Sequence, residues 1–228
     1  MIVFIGADKR EFDGMLARST AARNLSWPLA LVKAGPWNGE PALFVANGPG
    51  PKLAAEAVRV VIERQPVAAL VSVGFCGGLN PDLAVGDIFI ATGVVGVGPV
   101  LQPSGALAPH KAGALISTDE VAVTSAQKTK LRQTGADAVE MEAGAVAQAA
   151  KENHIPFYCV RVVTDAADED LPLDFNRMRD RDGRFSRARI LAAACRRPGV
   201  IFPELMRFNE RCKNASEALG DFVANCHF

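Results

Sequence analysis

The chain has 228 residues, with 25 Lys and Arg against 25 Asp and Glu, and 49 % of its residues are hydrophobic. That balance offers no basic excess for a nucleic-acid partner and too much apolar content for a disordered chain. The length suits a single domain over 1–228, able to bury about 70 % of the surface its unfolded chain exposes.

Residues 1–6 (MIVFIG) lack the cationic start of a signal peptide and read as a strand. Further runs rich in Val, Ile and Phe follow at 29–35, 41–48, 67–74, 87–97 and 156–164, as in strands covered on both faces. Helical patterns lie between and after them. Residues 51–65 are Ala-rich, 142–154 repeat small apolar residues and break at Pro156, and 203–225 place Leu205, Phe208, Cys212, Ala215 and Leu219 near one face. Strands alternating with helices predict a layered α/β fold with a mainly parallel sheet. Residues 98–113 and 166–184 read as loops, each suited either to an active-site loop or to a plain surface connection.

No apolar run reaches the ~18 residues of a membrane span. The five cysteines (Cys76, Cys159, Cys195, Cys212, Cys226) form no CxxC pair, and the three histidines no HExxH. A zinc site, another metal site and a disulfide framework are therefore not expected, and a soluble, cytoplasmic protein is.

In an open α/β sheet, ligands bind beyond the carboxyl ends of the strands. Glycines and acids gather there in this chain: Gly6 to Glu11, Asn47 to Gly50, Gly74 to Gly78, and Arg161 to Asp165. Such glycines admit a ligand close to the backbone, and they also make ordinary turns. The absence of GxGxxG after the first strand, of GxxxxGK[ST] and of GxSxG argues against dinucleotide, P-loop and serine-hydrolase chemistry. Carboxylates remain the catalytic candidates. Val139-Glu140-Met141-Glu142-Ala143 opens a helix, so its acids suit the helix dipole; Glu142 equally suits accepting from two neighbouring hydroxyls, as on a ribose. Asp165 reads as a turn cap or a proton donor, and Cys76 as an activated thiol or a small buried filler.

Four blocks carry a resemblance: IGADKRE at 5–11, NGPGPKLAAEA at 47–57, VSVGFCGGLNPDLAVGDIFIA at 71–91, and AVEMEAGAVAQAA with PFYCVRVVTDAAD at 138–168. They resemble the nucleoside phosphorylase and nucleosidase superfamily, especially its 5′-methylthioadenosine/S-adenosylhomocysteine nucleosidase branch. The resemblance implies a three-layer α/β/α sandwich around a mixed, barrel-like sheet, in a homo-oligomer. It implies cleavage of the N-glycosidic bond of a purine nucleoside, adenine-linked with a 5′-modified ribose, with neither metal nor organic cofactor.

The roles it implies are specific. Asp165 protonates the leaving base, and Glu11 orients the attacking water. Glu142 anchors the ribose with Met141 beneath the sugar, flanked in the substrate pocket by Val139 and Glu140. Gly48 and Pro49 form the loop under the sugar, and Phe75 and Cys76 border the nucleophile pocket. Val121 stands where an aromatic residue normally stacks on the base. Gly6 and Arg10 are spaced like the phosphate-binding glycine and arginine of the phosphorylases, which keeps a phosphorolytic enzyme, with inorganic phosphate as co-substrate, as an alternative; Lys9 reads as surface. Residues 169–206 resemble a hopanoid-associated phosphorylase-like branch, which implies an adenosyl lipid and an apolar pocket near Phe175, Met178 or Phe185. A non-catalytic nucleoside-binding protein is the rival from another class.

Overall fold

The computed structural model describes residues 1–19, 21–180, 182–195 and 198–228. In chain order the elements are β1 (Ile2–Gly6), α1 (Lys9–Arg18), β2 (Arg23–Asn24), β3 (Leu31–Trp37), β4 (Glu40–Ala46), α2 (Pro51–Arg64), β5 (Ala69–Gly78), β6 (Ile88–Val94) and β7 (Gly98–Pro99). They continue with β8 (Lys111–Ser117), α3 (Ser125–Arg132), β9 (Ala138–Glu140), α4 (Ala143–Glu152), β10 (Phe157–Asp165), a 3₁₀ turn (Phe175–Met178), α5 (Arg187–Ala194) and α6 (Pro198–Val223).

The strands form one sheet. β1 lies between β4 and β5, parallel to both, and β4 continues antiparallel to β3 and then β2. On the other side β5, β10, β6, β8 and β9 close into a ring, because β5 pairs with both β9 and β10. The sheet is thus mixed and barrel-like rather than mainly parallel. One cause is local: Asn38 and Gly39 take positive φ (51° and 84°) between Trp37 and Glu40, the geometry of a tight hairpin turn that forces β3 against β4 antiparallel.

Apolar runs without polar alternation have a clear origin here, since both faces of the sheet are covered. On one face Val3, Ile5, Leu43 and Val45 pack against Ala54, Val58 and Val61 of α2 and Val146 and Ala150 of α4. On the other, Phe4, Phe44, Val71 and Val73 pack against Phe12 and Met15 of α1 and Ala215, Leu219 and Phe222 of α6. The expected face of the last helix accordingly goes inward at Cys212, Ala215 and Leu219. β5 runs past the expected end at 74 through the glycine cluster to Gly78, and α6 begins at Pro198. Among the described residues no helix is long and apolar enough to cross a membrane.

Candidate active site

A cavity of about 710 Å³ opens where β1, β5 and β10 end and α4 begins. Asp165, Glu11, Glu142, Met141, Glu140, Gly48, Pro49, Phe75, Cys76, Val121, Val139 and Arg10 all line it. Gly6 does not, and its part is steric: a Cβ there would stand 2.8 Å from Glu11 Oε2.

Glu11 is buried at the start of α1. Its Oε2 accepts from the backbone N–H of Ala7 at 2.5 Å and of Asp8 at 3.2 Å, and its Oε1 from the N–H of Phe75 at 3.2 Å. The bond to Asp8 completes a capping box that starts the helix. Gly74, at φ +146°, leaves the room: a Cβ there would meet Oε1 at 2.5 Å. Burial pushes the Glu11 carboxyl up, against the pull of the Arg161 guanidinium and these N–H groups.

Asp165 ends β10 opposite Gly77 of β5, whose missing side chain makes space for Oδ2. Oδ2 lies 2.6 Å from Lys128 Nζ, and Oδ1 accepts from the Thr164 hydroxyl at 2.9 Å. Burial raises its pKa, and Lys128 and Thr164 oppose that rise. Gly74 and Gly77 therefore make room for the protein's own carboxylates.

Glu142 accepts at Oε1 from Gly50 N–H at 2.8 Å, and its Oε2 takes no hydrogen bond among the described residues. Its pKa is pushed up to about 8, by burial first and then by Glu140 and Glu11. Glu140 is arranged differently, with both oxygens engaged inside the protein. Oε2 accepts from Arg161 at 2.5 Å and from the N–H groups of Glu142 and Ala143, each at 2.9 Å, while Oε1 takes the Ser117 hydroxyl. It caps α4 and aims Glu142. Arg161 also donates to Ser72 Oγ at 2.7 Å, and its Nε has no partner among the described residues.

Burial raises the Cys76 thiol well above its ordinary pKa, which favours the inert filler over the activated thiol. Val121 is bracketed by Asn176, whose side chain accepts from its N–H at 2.8 Å and donates to its carbonyl at 3.0 Å. Aromatic surface comes from Phe75 and from Phe175, Phe185 and Phe208, whose ring centroids lie 6.0 and 5.8 Å from that of Phe175. Of the two loop-like segments only 166–184 walls the cavity, and Met178 lies outside the lining. Arg10, half exposed, is paired with Asp8 at 3.2 Å, and Lys9 with Asp13 at 2.5 Å on the surface. Sequence reasoning missed Lys128, which sits in a polar helix and looks like any solvated lysine. It also missed Arg184 and Asn209 in the lining. Among the described residues no cluster of three His, Cys, Asp or Glu side chains is arranged to hold a metal ion.

The profile of the Phosphorylase superfamily matches residues 1–107 and 99–195. A 5′-methylthioadenosine/S-adenosylhomocysteine nucleosidase of Shewanella sediminis is 26 % identical over 193 residues, covering 70 % of this chain and 83 % of the relative. Its counterpart from Shewanella denitrificans is 25 % identical over 223 residues, 84 % of this chain and 97 % of the relative. Among solved structures, the nucleosidase of Neisseria meningitidis in complex with methylthio-immucillin-A superposes with a TM-score of 0.74 at 21 % identity, over 98 % of this chain and 96 % of that one. Futalosine hydrolase of Helicobacter pylori gives 0.71 at 16 % identity, over 98 % and 95 %.

Proposed function

The chain belongs to the Phosphorylase superfamily, a family of nucleosidases and phosphorylases, and from that premise we propose that it hydrolyses the N-glycosidic bond of an adenine nucleoside with a 5′-modified ribose. The observation that carries this reading is the convergence of three buried carboxyls, Glu11, Glu142 and Asp165, on one cavity. Cleavage passes through an oxocarbenium-like sugar, which an acidic site suits by supplying a proton to the leaving base and carboxyl oxygens around the sugar. Asp165, its proton affinity raised by burial, gives a proton to the purine as the C1′–N9 bond breaks. Glu142 offers its free oxygen to the ribose diol. A water adds to C1′ and passes its proton to Glu11, and the products are free base and free sugar.

Hydrolysis is favoured over phosphorolysis by the place of Glu11. The N–H groups of Ala7, Asp8 and Phe75 form the anion cradle that a phosphate would use, and the Glu11 carboxylate fills it. Arg10, the candidate phosphate ligand, is instead paired with Asp8. The 5′ substituent extends toward Phe175, Phe185 and Phe208. The reading extends to a single domain, a homo-oligomer and a cytoplasmic enzyme.

Base release from methylthioadenosine, S-adenosylhomocysteine and adenosine, with and without phosphate, tests the proposal. The expected result is phosphate-independent release of adenine and free sugar, reduced about 10²- to 10⁴-fold in Asp165→Asn. Strictly phosphate-dependent release of a sugar phosphate would overturn the hydrolytic reading, and tight binding without turnover the enzymatic one.

A further inference from the structure

Resting on the nucleosidase reading, we propose that Lys128 is a positioning residue for base departure: it holds Asp165 in place and stabilises the carboxylate that Asp165 becomes on giving up its proton. The side chain of Lys128 is fully buried, although α3 is otherwise a polar surface helix. A buried ammonium is costly unless all three of its protons are bonded. All three are bonded to one segment: Nζ donates to Asp165 Oδ2 at 2.6 Å, to Ala166 O at 2.6 Å and to Glu169 O at 2.8 Å. The carboxylate and the backbone that follows it are thereby fixed as one unit. The Glu169 carboxylate is paired with Arg211 at 2.5 Å, and Asp165 is the carboxylate that Lys128 bonds.

The chemistry follows from this placement. Oδ2 is committed to Lys128, which leaves Oδ1, beside the Thr164 hydroxyl, to carry the proton. As the C1′–N9 bond breaks, its electron pair goes to the purine, and N7 takes the proton from Oδ1. The new carboxylate is then an ion pair with Lys128. Water supplies hydroxide to C1′ and its proton to Glu11, and exchange with solvent restores both carboxyls. Besides Lys128, the titratable groups facing Asp165 are Glu169 from the following segment and the thiols of Cys76 on β5 and Cys212 on α6.

The test measures kcat and KM for adenine release from methylthioadenosine between pH 5 and 9, with thermal melting, for the unchanged enzyme, Lys128→Met, Lys128→Gln and Lys128→Arg. Gln keeps two donors for the carbonyls of Ala166 and Glu169 while losing the charge, so it carries the test should the Met variant not fold. Both neutral variants are expected to lose about 10²-fold in kcat with KM within about threefold. Without its cation Asp165 holds its proton more tightly, so the alkaline limb of kcat moves to higher pH by about one unit or more. Lys128→Arg is expected to keep the limb in place and recover part of the rate. A neutral variant with unchanged kcat, or one whose loss tracks melting temperature with the limb unmoved, would overturn the role. An unchanged enzyme that releases no adenine would overturn the nucleosidase reading itself, and the role with it.

Discussion

The cavity has two unlike walls. The inner wall is made of strand ends and helix starts and carries Glu11, Glu142 and Asp165, each 6 % exposed and each held by backbone or buried side-chain partners. The outer wall comes from the described residues between 171 and 209 and is largely apolar where it meets the cavity, at Leu171, Phe175, Phe185, Ile190, Leu205 and Phe208, with Arg184 and Asn209 as its polar members. It is fastened by arginines to carbonyls: Arg179 to Asp119 O at 2.5 Å and Pro49 O at 3.3 Å, and Arg184 to Asn47 O at 3.3 Å. Its short helix α5 leaves Leu191 55 % exposed. On the proposed mechanism, the groups that must keep their geometry through bond breaking sit at strand ends and helix starts, while recognition of the substrate's far end falls to a lightly anchored wall.

The largest effect expected from this contrast is on stability. Arg161 joins β10 to Ser72 of β5 and, through Glu140, to β9, β8 and the start of α4. Its guanidinium and the Glu140 carboxylate are each only 1 % exposed. Arg161→Met strands that carboxylate, and urea unfolding is expected to show a loss of about 3–5 kcal/mol. Arg179→Ala on the outer wall removes carbonyl contacts near solvent and is expected to cost about 1 kcal/mol. Equal losses from the two would erase the distinction between the walls.

The same division governs what was legible in the sequence. Asp165, Glu11 and Glu142 stand out because they follow apolar strands and lie in motif-dense blocks. The glycines around them are visible too, although only the coordinates show that Gly74 and Gly77 accommodate the protein's own carboxylates. The antiparallel β3–β4 hairpin was signalled by Asn38-Gly39 and overlooked, because alternating strands and helices suggested parallel pairing throughout. Lys128 carried no signal, since its burial comes from α3 docking over residues 165–169, a tertiary event with no sequence period. The outer wall was legible in part, as a loop at 166–184 containing Phe175 and as the helix face carrying Leu205 and Phe208; its arginines face backbone carbonyls, which no residue pattern marks.

A second, smaller effect separates the walls by pH. The Glu142 carboxyl is held up to about 8 by burial and by its neighbours Glu140 and Glu11, whereas in the unfolded chain it titrates in the ordinary carboxylate range. Between those values the native state binds a proton that the unfolded state has lost, so stability falls as pH rises from about 5 to 8. The slope from this one group approaches roughly 1.4 kcal/mol per pH unit. Melting temperatures across that range are expected to decline for the unchanged protein and to decline less steeply in Glu142→Gln, where the raised Glu11 and Asp165 carboxyls remain. An equally steep decline in Glu142→Gln would place the raised carboxyl elsewhere. Among the described residues the acids of the outer wall are not buried, so none contributes such a slope: the Asp174 side chain is 42 % exposed, and Asp180, Asp182 and Glu204 are exposed.

The smallest effect tests what the outer wall selects. Phe208 lines the cavity from α6 and packs against Phe175, so truncating it opens the far end while the strand-end carboxyls stay in place. Apolar contact with a 5′ substituent is made equally in ground and transition states, so its loss belongs in KM rather than kcat. Phe208→Ala is expected to raise KM for methylthioadenosine roughly tenfold, with kcat within about twofold, and to change KM for adenosine little, because adenosine presents only a hydroxyl to that wall. Equal increases for both substrates would show that Phe208 supports the base or the sugar. A fall in kcat would couple the outer wall to the chemistry that the strand ends otherwise hold alone.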